Sequence, residues 1–371
     1  MNEILFFAYD GARGTTFHFV DWILAFELKN MKDNIKYLIS HKEQNEGLLE
    51  KLKSNVVDFD QKFYFIEDVN SEVFKDIDIV HVHGLNQLNL LRKYNVNAKI
   101  IFTVHAYRNS KWYKNIFKIL FSYYLLNVQK IHFVSYYSKK DFFSLNPLRK
   151  KLENKSFVTY LGINKDEFEN TADSLNEVDF KHNIDFDEKK KNIVYFAQFH
   201  SGKGHEWLIR AITNINKKDV AVWLFGEGPT RSDMLTLVNE LKLTDTIHLP
   251  GLIDRKYVPS LLSSSYLALV TSRNETFGHN YIEPFASGVP VIGTTVGAGE
   301  MFLQDYYTGF RVSWKDEEQL AILINHALKN ENLVSLMGTN AKSLIDIFFT
   351  WDIMAINCIN VYNELGHETY S

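Results

Sequence analysis

The stretch Ile4-Leu5-Phe6-Phe7-Ala8, followed closely by Asp10-Gly11-Ala12-Arg13-Gly14, decides the fold of this 371-residue chain. The apolar run predicts a buried strand, the glycines predict a tight turn, and the amphipathic residues 17–28 predict a helix. Strand, turn and helix in this order open a parallel α/β sheet. Further strands are predicted by four continuous apolar runs, which are typical of strands buried on both faces: residues 36–39, 77–82, 99–104 and 130–134.

A second α/β series follows a polar and charged stretch at residues 164–191. Helical patterns separate several of its predicted strands, which are residues 193–196, 220–225, 247–249, 267–270 and 289–292. The predicted fold class is therefore α/β, with two Rossmann-like, doubly wound domains. Ligands of open α/β sheets bind at the carboxyl ends of the strands, so we expect the two domains to face each other across a cleft.

The composition excludes several classes of protein. Lysines and arginines number 41 against 45 aspartates and glutamates, so the basic excess typical of a nucleic-acid-binding protein is absent. The single cysteine, Cys358, excludes an internal disulfide and a zinc ribbon. The first residues lack the basic start of a signal peptide, and the most apolar segment, residues 116–128, is too short and too polar to span a bilayer. We therefore expect a cytoplasmic protein.

The most informative residues lie in the stretch Thr271-Ser-Arg-Asn-Glu275-Thr-Phe-Gly278-His-Asn-Tyr-Ile-Glu283, whose two glutamates are eight positions apart. Glu275 is predicted in the loop after a strand, and Gly278 allows the backbone to approach a ligand at the start of a helix. Glu283 falls in the first turns of that helix, where its carboxylate can accept hydrogen bonds from a sugar diol. The alternative for Glu283 is a surface residue stabilised by the helix dipole.

This stretch resembles the E-x7-E signature of the family-4 retaining glycosyltransferases, which have the glycosyltransferase-B fold. Other segments resemble landmarks of that family in the same order along the chain: residues 78–84, 103–105, 160–164, 199–206, 224–229 and 249–252. The resemblance implies an acceptor-binding domain at residues 1–165 and a nucleotide-sugar-binding domain at residues 166–350. It also implies that the C-terminal helix, within residues 351–371, packs back on the first domain.

The activity that the resemblance implies is that of a retaining hexosyltransferase. Its donor would be a nucleotide-sugar, with UDP as the expected nucleotide, and its acceptor a glycan or lipid-linked glycan in bacterial surface polysaccharide, lipopolysaccharide or glycoconjugate synthesis. In the expected mechanism the leaving phosphate helps to deprotonate the acceptor hydroxyl on the front face. Two alternatives stay open: a catalytically silent partner or stabilising subunit, and a sugar-nucleotide epimerase.

Neither a cofactor nor a metal ion is expected. No Asp-x-Asp sequence is identified as the motif that metal-dependent sugar transferases use. Asp76-Ile-Asp78 has the spacing, but it begins a predicted strand, so we interpret it as structural. His81 and His83 lie on one face of that strand and could suggest a metal pair. No third ligand is evident beside them, and hydrogen-bonded strand histidines are the favoured interpretation.

The resemblance assigns roles to the residues of the 271–292 stretch. Glu275 would contact the transferred sugar near the reaction centre, and Glu283 would bind the ribose hydroxyls of the nucleotide. Backbone N–H groups around Phe277, Gly278 and His279 would hold the donor sugar or its phosphates.

Lys203, between a strand and a helix, matches the lysine that neutralises the diphosphate leaving group in this family. Gln198 stands near the position where relatives commonly have an arginine, and it lacks that charge. Arg13, beside Gly14 in the turn that matches the family's phosphate-facing loop, is expected to compensate. His105 matches the family's histidine near the donor sugar and is predicted to position the substrate; the alternative is a core histidine.

Residues 111–126 combine aromatic and aliphatic residues with lysines at 111, 114 and 118, which share one helical face. Such a helix is typical of a segment that lies on an anionic membrane, which would place the protein at the inner face of the cell membrane. A core helix with a solvated lysine edge is the alternative.

Overall fold

The computed structural model describes residues 2–8, 16–28, 35–39, 46–105, 113–144, 146–169, 186, 189–275, 277–297 and 299–367. The chain divides into two compact units. The first combines Met1–Gly162 with Thr350–Ser371, and the second is Ile163–Phe349. Each unit is built on one parallel β-sheet. The predicted α/β class, with two Rossmann-like domains, is confirmed.

The sheet of the first unit has seven strands in the order β3-β2-β1-β4-β5-β6-β7. The strands are β1 Ile4–Ala8, β2 Ile35–Ile39, β3 Phe63–Phe65, β4 Ile79–Val82, β5 Lys99–Val104, β6 Lys130–Phe133 and β7 Ser156–Val158. The helices of this unit are Thr16–Leu28, Glu46–Asn55, Phe59–Lys62, Leu85–Lys93, Tyr113–Tyr124, Tyr136–Phe143, Arg149–Glu153 and Trp351–His367. The strand order reverses between β1 and β4, which is the position where open α/β sheets bind ligands.

The sheet of the second unit has six strands in the order β10-β9-β8-β11-β12-β13. The strands are β8 Lys191–Phe196, β9 Val220–Phe225, β10 Ile247–Gly251, β11 Leu267–Val270, β12 Val291–Thr294 and β13 Gly309–Val312. The helices are Asp166–Glu169, His205–Ile212, Arg231–Glu240, Val258–Ser263, His279–Ala286, Gly299–Phe302, Glu317–Lys329 and Glu331–Phe348. The corresponding reversal lies between β8 and β11.

Three strands, β3, β7 and β13, were not predicted from the sequence. All three are edge strands of three or four residues. None of the three is buried along its whole length, and their pairing with a neighbouring strand defines them. The ten predicted runs are confirmed as strands. Nine of them lie inside a sheet, where neighbours cover both edges; every residue of β4 and β9, for example, is buried.

The C-terminal helix Trp351–His367 belongs to the first unit, where it packs against helix Thr16–Leu28. The chain leaves this unit at Gly162 and returns at Thr350. A Cβ atom at Gly162 would collide with the backbone carbonyl of Thr350, so the two chain segments approach closely at a position that only glycine allows.

Buried hydrogen bonds join the C-terminal helix to the sheet. The hydroxyl of Tyr362 lies 2.7 Å from Nδ1 of His81, and Nε2 of His81 lies 2.6 Å from Oγ1 of Thr103. Thr103 Oγ1 in turn lies 2.9 Å from Nδ1 of His132, whose Nε2 lies 3.2 Å from the carbonyl oxygen of Thr159. Burial lowers the pKa of His81, and that of His132 to about 3, so both rings are neutral.

The carbonyl of Thr159 decides which group donates and which accepts in each hydrogen bond of this series, because a carbonyl oxygen can only accept. His132 must therefore donate from Nε2 and accept at Nδ1 from the hydroxyl of Thr103. Thr103 then accepts from Nε2–H of His81, and Nδ1 of His81 accepts from the hydroxyl of Tyr362. The series of hydrogen bonds therefore begins with a donor, the hydroxyl of Tyr362, and ends on an acceptor, the carbonyl of Thr159.

Replacing Tyr362 by phenylalanine should lower the free energy of unfolding by about 1–3 kcal/mol, because Nδ1 of His81 would be left buried without a donor. Urea denaturation followed by circular dichroism measures the change. Tyr136, which is exposed in the same unit, provides the control Tyr136→Phe, with an expected change below about 0.5 kcal/mol. Equal effects of the two substitutions would contradict the assigned chain.

Candidate functional site

The predicted nucleotide-sugar residues of the second unit meet at the carboxyl ends of β8 and β11. Residues 197–204 follow β8 and contain Lys203, and residues 271–278 follow β11 and contain Glu275. Because β8 and β11 are neighbours at the reversal of the strand order, these two loops diverge from the position where such sheets bind ligands.

Lys203 and Glu275 form an ion pair, with Nζ of Lys203 2.5 Å from Oε1 of Glu275. The side chains are 19% and 12% exposed, so both are largely withdrawn from water yet still accessible. The sequence motifs identified each residue separately, and the structure brings them together. Their pairing places a fixed positive group beside a carboxylate at the carboxyl ends of these strands.

The backbone of the Lys203 loop is held by buried hydrogen bonds from its neighbours. The carbonyl oxygen of Lys203 accepts from the hydroxyl of Tyr195, at 3.0 Å, and from Oγ1 of Thr271, at 2.9 Å. Burial raises the pKa of Tyr195, which keeps its hydroxyl protonated as a donor. Ser272 Oγ lies 3.0 Å from the same hydroxyl, and Arg273 N–H donates to the carbonyl of Gly202 at 2.8 Å.

Two glycines allow the close packing of these loops with each other and with the loop after β12. Gly204 has φ +75°, and a Cβ there would collide with the carbonyl oxygen of Thr271 and with the ring of Trp207. Gly297 has φ +65°, and a Cβ there would collide with the carbonyl oxygen of Glu275. Positive φ and close backbone approach both require glycine at these positions.

Glu283 is buried in helix His279–Ala286, at 8% exposure, which contradicts its interpretation as a surface residue. Its Oε1 lies 2.9 Å from Nη2 of Arg255 and 3.9 Å from Nδ1 of His279. Burial raises the pKa of Glu283 and Glu167 adds to the increase, whereas Arg255 opposes it. A buried carboxylate with one oxygen held by a guanidinium is suited to accept hydroxyl donors.

Arg255 was not identified from the sequence. It lies in the 3₁₀ turn Arg255–Tyr257 after β10, outside every motif, and its contact with Glu283 depends on tertiary structure. The sequence feature that was available is the preceding Asp254, a residue type that starts turns. Its side chain accepts from the N–H of Lys256 at the start of this turn.

The turn before helix His279–Ala286 is anchored by Phe277, whose buried ring lies 5.5 Å from that of Phe302. The Phe277 side chain is therefore part of the core, and Gly278 beside it is buried as well. Gly278 follows with φ +89° and precedes the helix, whose first residue is His279. The start of a helix favours an anion, because the positive end of the helix dipole lies there.

Gln198 is exposed in the same loop as Lys203. The residues beside it are held by backbone hydrogen bonds: Ala197 N–H donates to Phe225 O and Phe199 N–H donates to Glu227 O, each at 3.0 Å. The Gln198 side chain is thus carried on a fixed backbone at the carboxyl end of β8.

In the first unit, His105 directly follows β5 and its Nε2 lies 2.9 Å from Nδ1 of His83. Burial lowers the pKa of His105 to about 4. His105 is partly exposed, in contrast to the wholly buried His81 and His132. Arg13 and Gly14 lie outside the described residues. His105 belongs to the first unit, whereas Lys203, Gln198 and the 275–283 residues belong to the second.

The interpretation of His81 as a hydrogen-bonded strand histidine is confirmed by its contacts with Tyr362 and Thr103. The carboxylate of Asp78 accepts from the backbone N–H of Glu3 at 2.9 Å, which confirms its structural interpretation. Within the described ranges, no three histidine, cysteine or acidic side chains are grouped as a metal site.

The last residues of helix Tyr113–Tyr124 are exposed on one side and packed on another. Leu120 and Tyr123 are 54% and 55% exposed, whereas Phe121 packs against Phe102 with ring centroids 5.4 Å apart. Lys111 lies outside the described residues, and so do the side chains of Lys114 and Lys118, so the shared lysine face stays a prediction. Over the part of the chain that the structure describes, no helix combines the length and apolarity that crossing a membrane requires.

Comparison with known proteins bears directly on this site. Residues 177–344, which contain Lys203, Glu275 and Glu283, match the family model described as glycosyl transferases group 1. The match supports a glycosyltransferase. It lies within the second unit and covers the strands and loops that build the site.

Relatives and a solved structure extend the likeness. The uncharacterised glycosyltransferase MJ1607 of Methanocaldococcus jannaschii is 26% identical over 211 residues, which are 57% of this chain and 54% of that protein. This chain thus spans about half the length of that relative. The O-antigen biosynthesis glycosyltransferase WclY of Escherichia coli is 24% identical over 372 residues, 90% of this chain and 99% of the relative.

The crystal structure of Anabaena Alr3699/HepE in complex with UDP and glucose has a TM-score of 0.78 to this structure at 14% identity. The match covers 98% of this chain and 100% of that chain. At this identity the likeness concerns the fold, and the predicted glycosyltransferase-B fold is confirmed.

Gly204→Ala should lower the free energy of unfolding by at least about 2 kcal/mol more than Gly288→Ala. The two glycines have similar φ angles, +75° and +71°, but the nearest heavy atom to a Cβ at Gly288 is 3.9 Å away. The control therefore carries only the left-handed backbone penalty, about 1–2 kcal/mol. Urea denaturation followed by tryptophan fluorescence compares them. Similar losses would mean that the close loop packing at Gly204 contributes nothing.

Proposed function

We propose that this protein is a retaining glycosyltransferase that moves a sugar from a UDP-linked donor to a glycan or lipid-linked glycan. The observation that carries the proposal is the Lys203–Glu275 pair at the reversal of the second sheet, with the buried Glu283 on the following helix. The UDP complex of Anabaena Alr3699/HepE and the O-antigen role named for WclY support the nucleotide and bacterial surface polysaccharide, lipopolysaccharide or glycoconjugate synthesis as the process.

Donor binding uses the second unit. Lys203 and the backbone N–H groups at Phe277, Gly278 and His279 hold the diphosphate and the sugar. Glu283 accepts hydrogen bonds from the two ribose hydroxyls; Arg255, on one of its oxygens, keeps the buried carboxylate charged and in place.

The reaction breaks the bond between the anomeric carbon and the diphosphate oxygen, and the electron pair leaves with that oxygen. Lys203 stabilises the negative charge that develops there, so its ion pair with Glu275 is shared with the diphosphate when donor binds. Glu275 lies beside the transferred sugar and stabilises the positive charge that develops on it. The acceptor hydroxyl attacks the same face and gives its proton to the leaving phosphate, which retains the anomeric configuration.

The positive charge that this mechanism needs comes from the protein, which makes it independent of metal. Lys203 supplies it in the second unit, and Arg13 compensates for the neutral Gln198. His105 positions the donor sugar. Activity that persists in EDTA, and a loss of donor affinity in Arg13→Ala, are the results that this division of roles requires.

A panel of nucleotide-sugars tests the donor. UDP and one UDP-sugar should raise the melting temperature, because a ligand that binds the folded state stabilises it. Lys203→Ala should lower kcat/KM about 100-fold, and Glu283→Gln should weaken UDP binding about 10- to 100-fold. The exposed Lys218 in the same unit gives the control Lys218→Ala, with no change expected.

Proton NMR of the product should show the anomeric configuration of the donor. If no nucleotide stabilises the protein and no sugar is transferred, the enzyme proposal fails and a silent partner subunit becomes the better account. An inverted product would contradict retention alone.

Acceptor binding at an anionic membrane is the second part of the proposal, and the exposed Leu120 and Tyr123 support it. Vesicles of phosphatidylcholine with phosphatidylglycerol should carry the protein upward in a flotation gradient at low salt and release it at high salt. Leu120→Ser with Tyr123→Ser should reduce binding several-fold. Ile322→Ser, at an exposed site on the second unit, is the control. No flotation of the unmodified protein at low salt would remove the membrane role.

A further inference from the structure

Four histidines lie on one face of the first sheet, on or directly after β4, β5 and β6, and they form two separate hydrogen-bonded sets. His81 and His132 belong to the closed chain that runs from Tyr362 to Thr159. His83 and His105 form the second set, with His83 Nδ1 2.9 Å from His105 Nε2. The rings of His81 and His83 stack with centroids 4.7 Å apart, and both nitrogens of His81 are already occupied.

The contact between His83 and His105 needs one N–H and one lone pair, so exactly two neutral assignments exist. The ring of His83 is fixed among aromatic side chains: its centroid lies 4.8 Å from those of Phe6 and Phe19 and 5.5 Å from that of Trp22. The backbone N–H of His83 donates to Oε1 of Gln87 at 2.6 Å, which fixes the end of β4 as well.

The other nitrogen of His83 decides between the two assignments. Nε2 of His83 is buried and has no hydrogen-bond partner among the described residues. A proton on Nε2 would bury an N–H without an acceptor, which is rare in folded proteins. A lone pair there is the smaller loss, so the proton lies on Nδ1 and points at His105.

We propose that His83 is a positioning residue that donates from Nδ1–H to Nε2 of His105 and thereby fixes His105 as the Nδ1–H tautomer. His105 then presents an N–H donor at the carboxyl end of β5. Its only basic nitrogen is occupied by His83, so His105 cannot act as a general base. If the proposed function holds, on which this part rests, His105 donates a hydrogen bond to an oxygen of the transferred sugar.

The low pKa values agree with this assignment. Burial lowers the pKa of His105 to about 4 and that of His83 well below its usual range, with His81 adding to the second effect. Both rings are therefore neutral at pH 7, as a contact with a single shared proton requires.

Long-range proton–nitrogen NMR of ¹⁵N-histidine-labelled protein reads the tautomer without any substrate. The His105 signals are identified by their loss in His105→Gln. The expected pattern for His105 is a protonated Nδ1 and an unprotonated Nε2. His83→Asn retains an amide N–H near the original Nδ1 and should preserve the pattern, whereas His83→Leu should release His105 to the Nε2–H tautomer.

Kinetics with the UDP-sugar test the consequence. His83→Leu should lower kcat/KM for the donor about tenfold, His83→Asn should restore it to within about threefold, and the Kd for UDP, which has no sugar, should stay unchanged. An Nε2–H tautomer of His105 in the unmodified protein overturns the proposal even if His83→Leu fails to fold. An Nδ1–H tautomer that persists in folded His83→Leu also overturns it. An Nδ1–H tautomer that His83→Asn keeps and folded His83→Leu loses, in a protein that transfers no sugar, supports the role of His83 and overturns the proposed function instead.

Discussion

The hydrogen bonds from Tyr195 and Thr271 to the carbonyl of Lys203 are the interaction on which the candidate site depends. They join the loop after β8 to the loop after β11, and those two loops carry the lysine and the glutamate. A charged side chain can be preorganised only if its backbone is fixed. The buried hydroxyls of Tyr195 and Thr271 meet that need, and Gly204 removes the Cβ atom that would keep the loops apart.

The charged side chains of this site are mostly buried, and each has a partner of opposite charge. Lys203 and Glu275 are largely buried but paired, and Glu283 is buried against a half-exposed Arg255. Unpaired charges at this depth would be strongly destabilising, so each charged side chain offsets the cost of burying its partner.

The first unit uses neutral polar groups instead. His81, His83 and His132 are buried, and the carbonyl of Thr159 imposes one direction on the hydrogen bonds from His132 back to Tyr362. The C-terminal helix therefore contributes more than apolar cover: it supplies the donor that completes the hydrogen bonding of the central strand β4. His105, at the partly exposed end of this face of the sheet, contacts the buried His83 behind it.

The sequence by itself determined ten of the strands and the two doubly wound domains, because buried parallel strands require continuous apolar runs. It also determined the residues of the E-x7-E stretch, because their spacing lies within one loop and the helix that follows it. Lys203 and Glu283 were found for the same reason. The edge strands β3, β7 and β13 were missed, since a short strand at the edge of a sheet lacks the continuous burial of an interior strand. Arg255 beside Glu283 and His83 beside His105 were equally out of reach, although His83 stood in a quoted motif. Only the tertiary structure decided these contacts, because each joins residues on separate elements whose distance is set by the packing of the sheet.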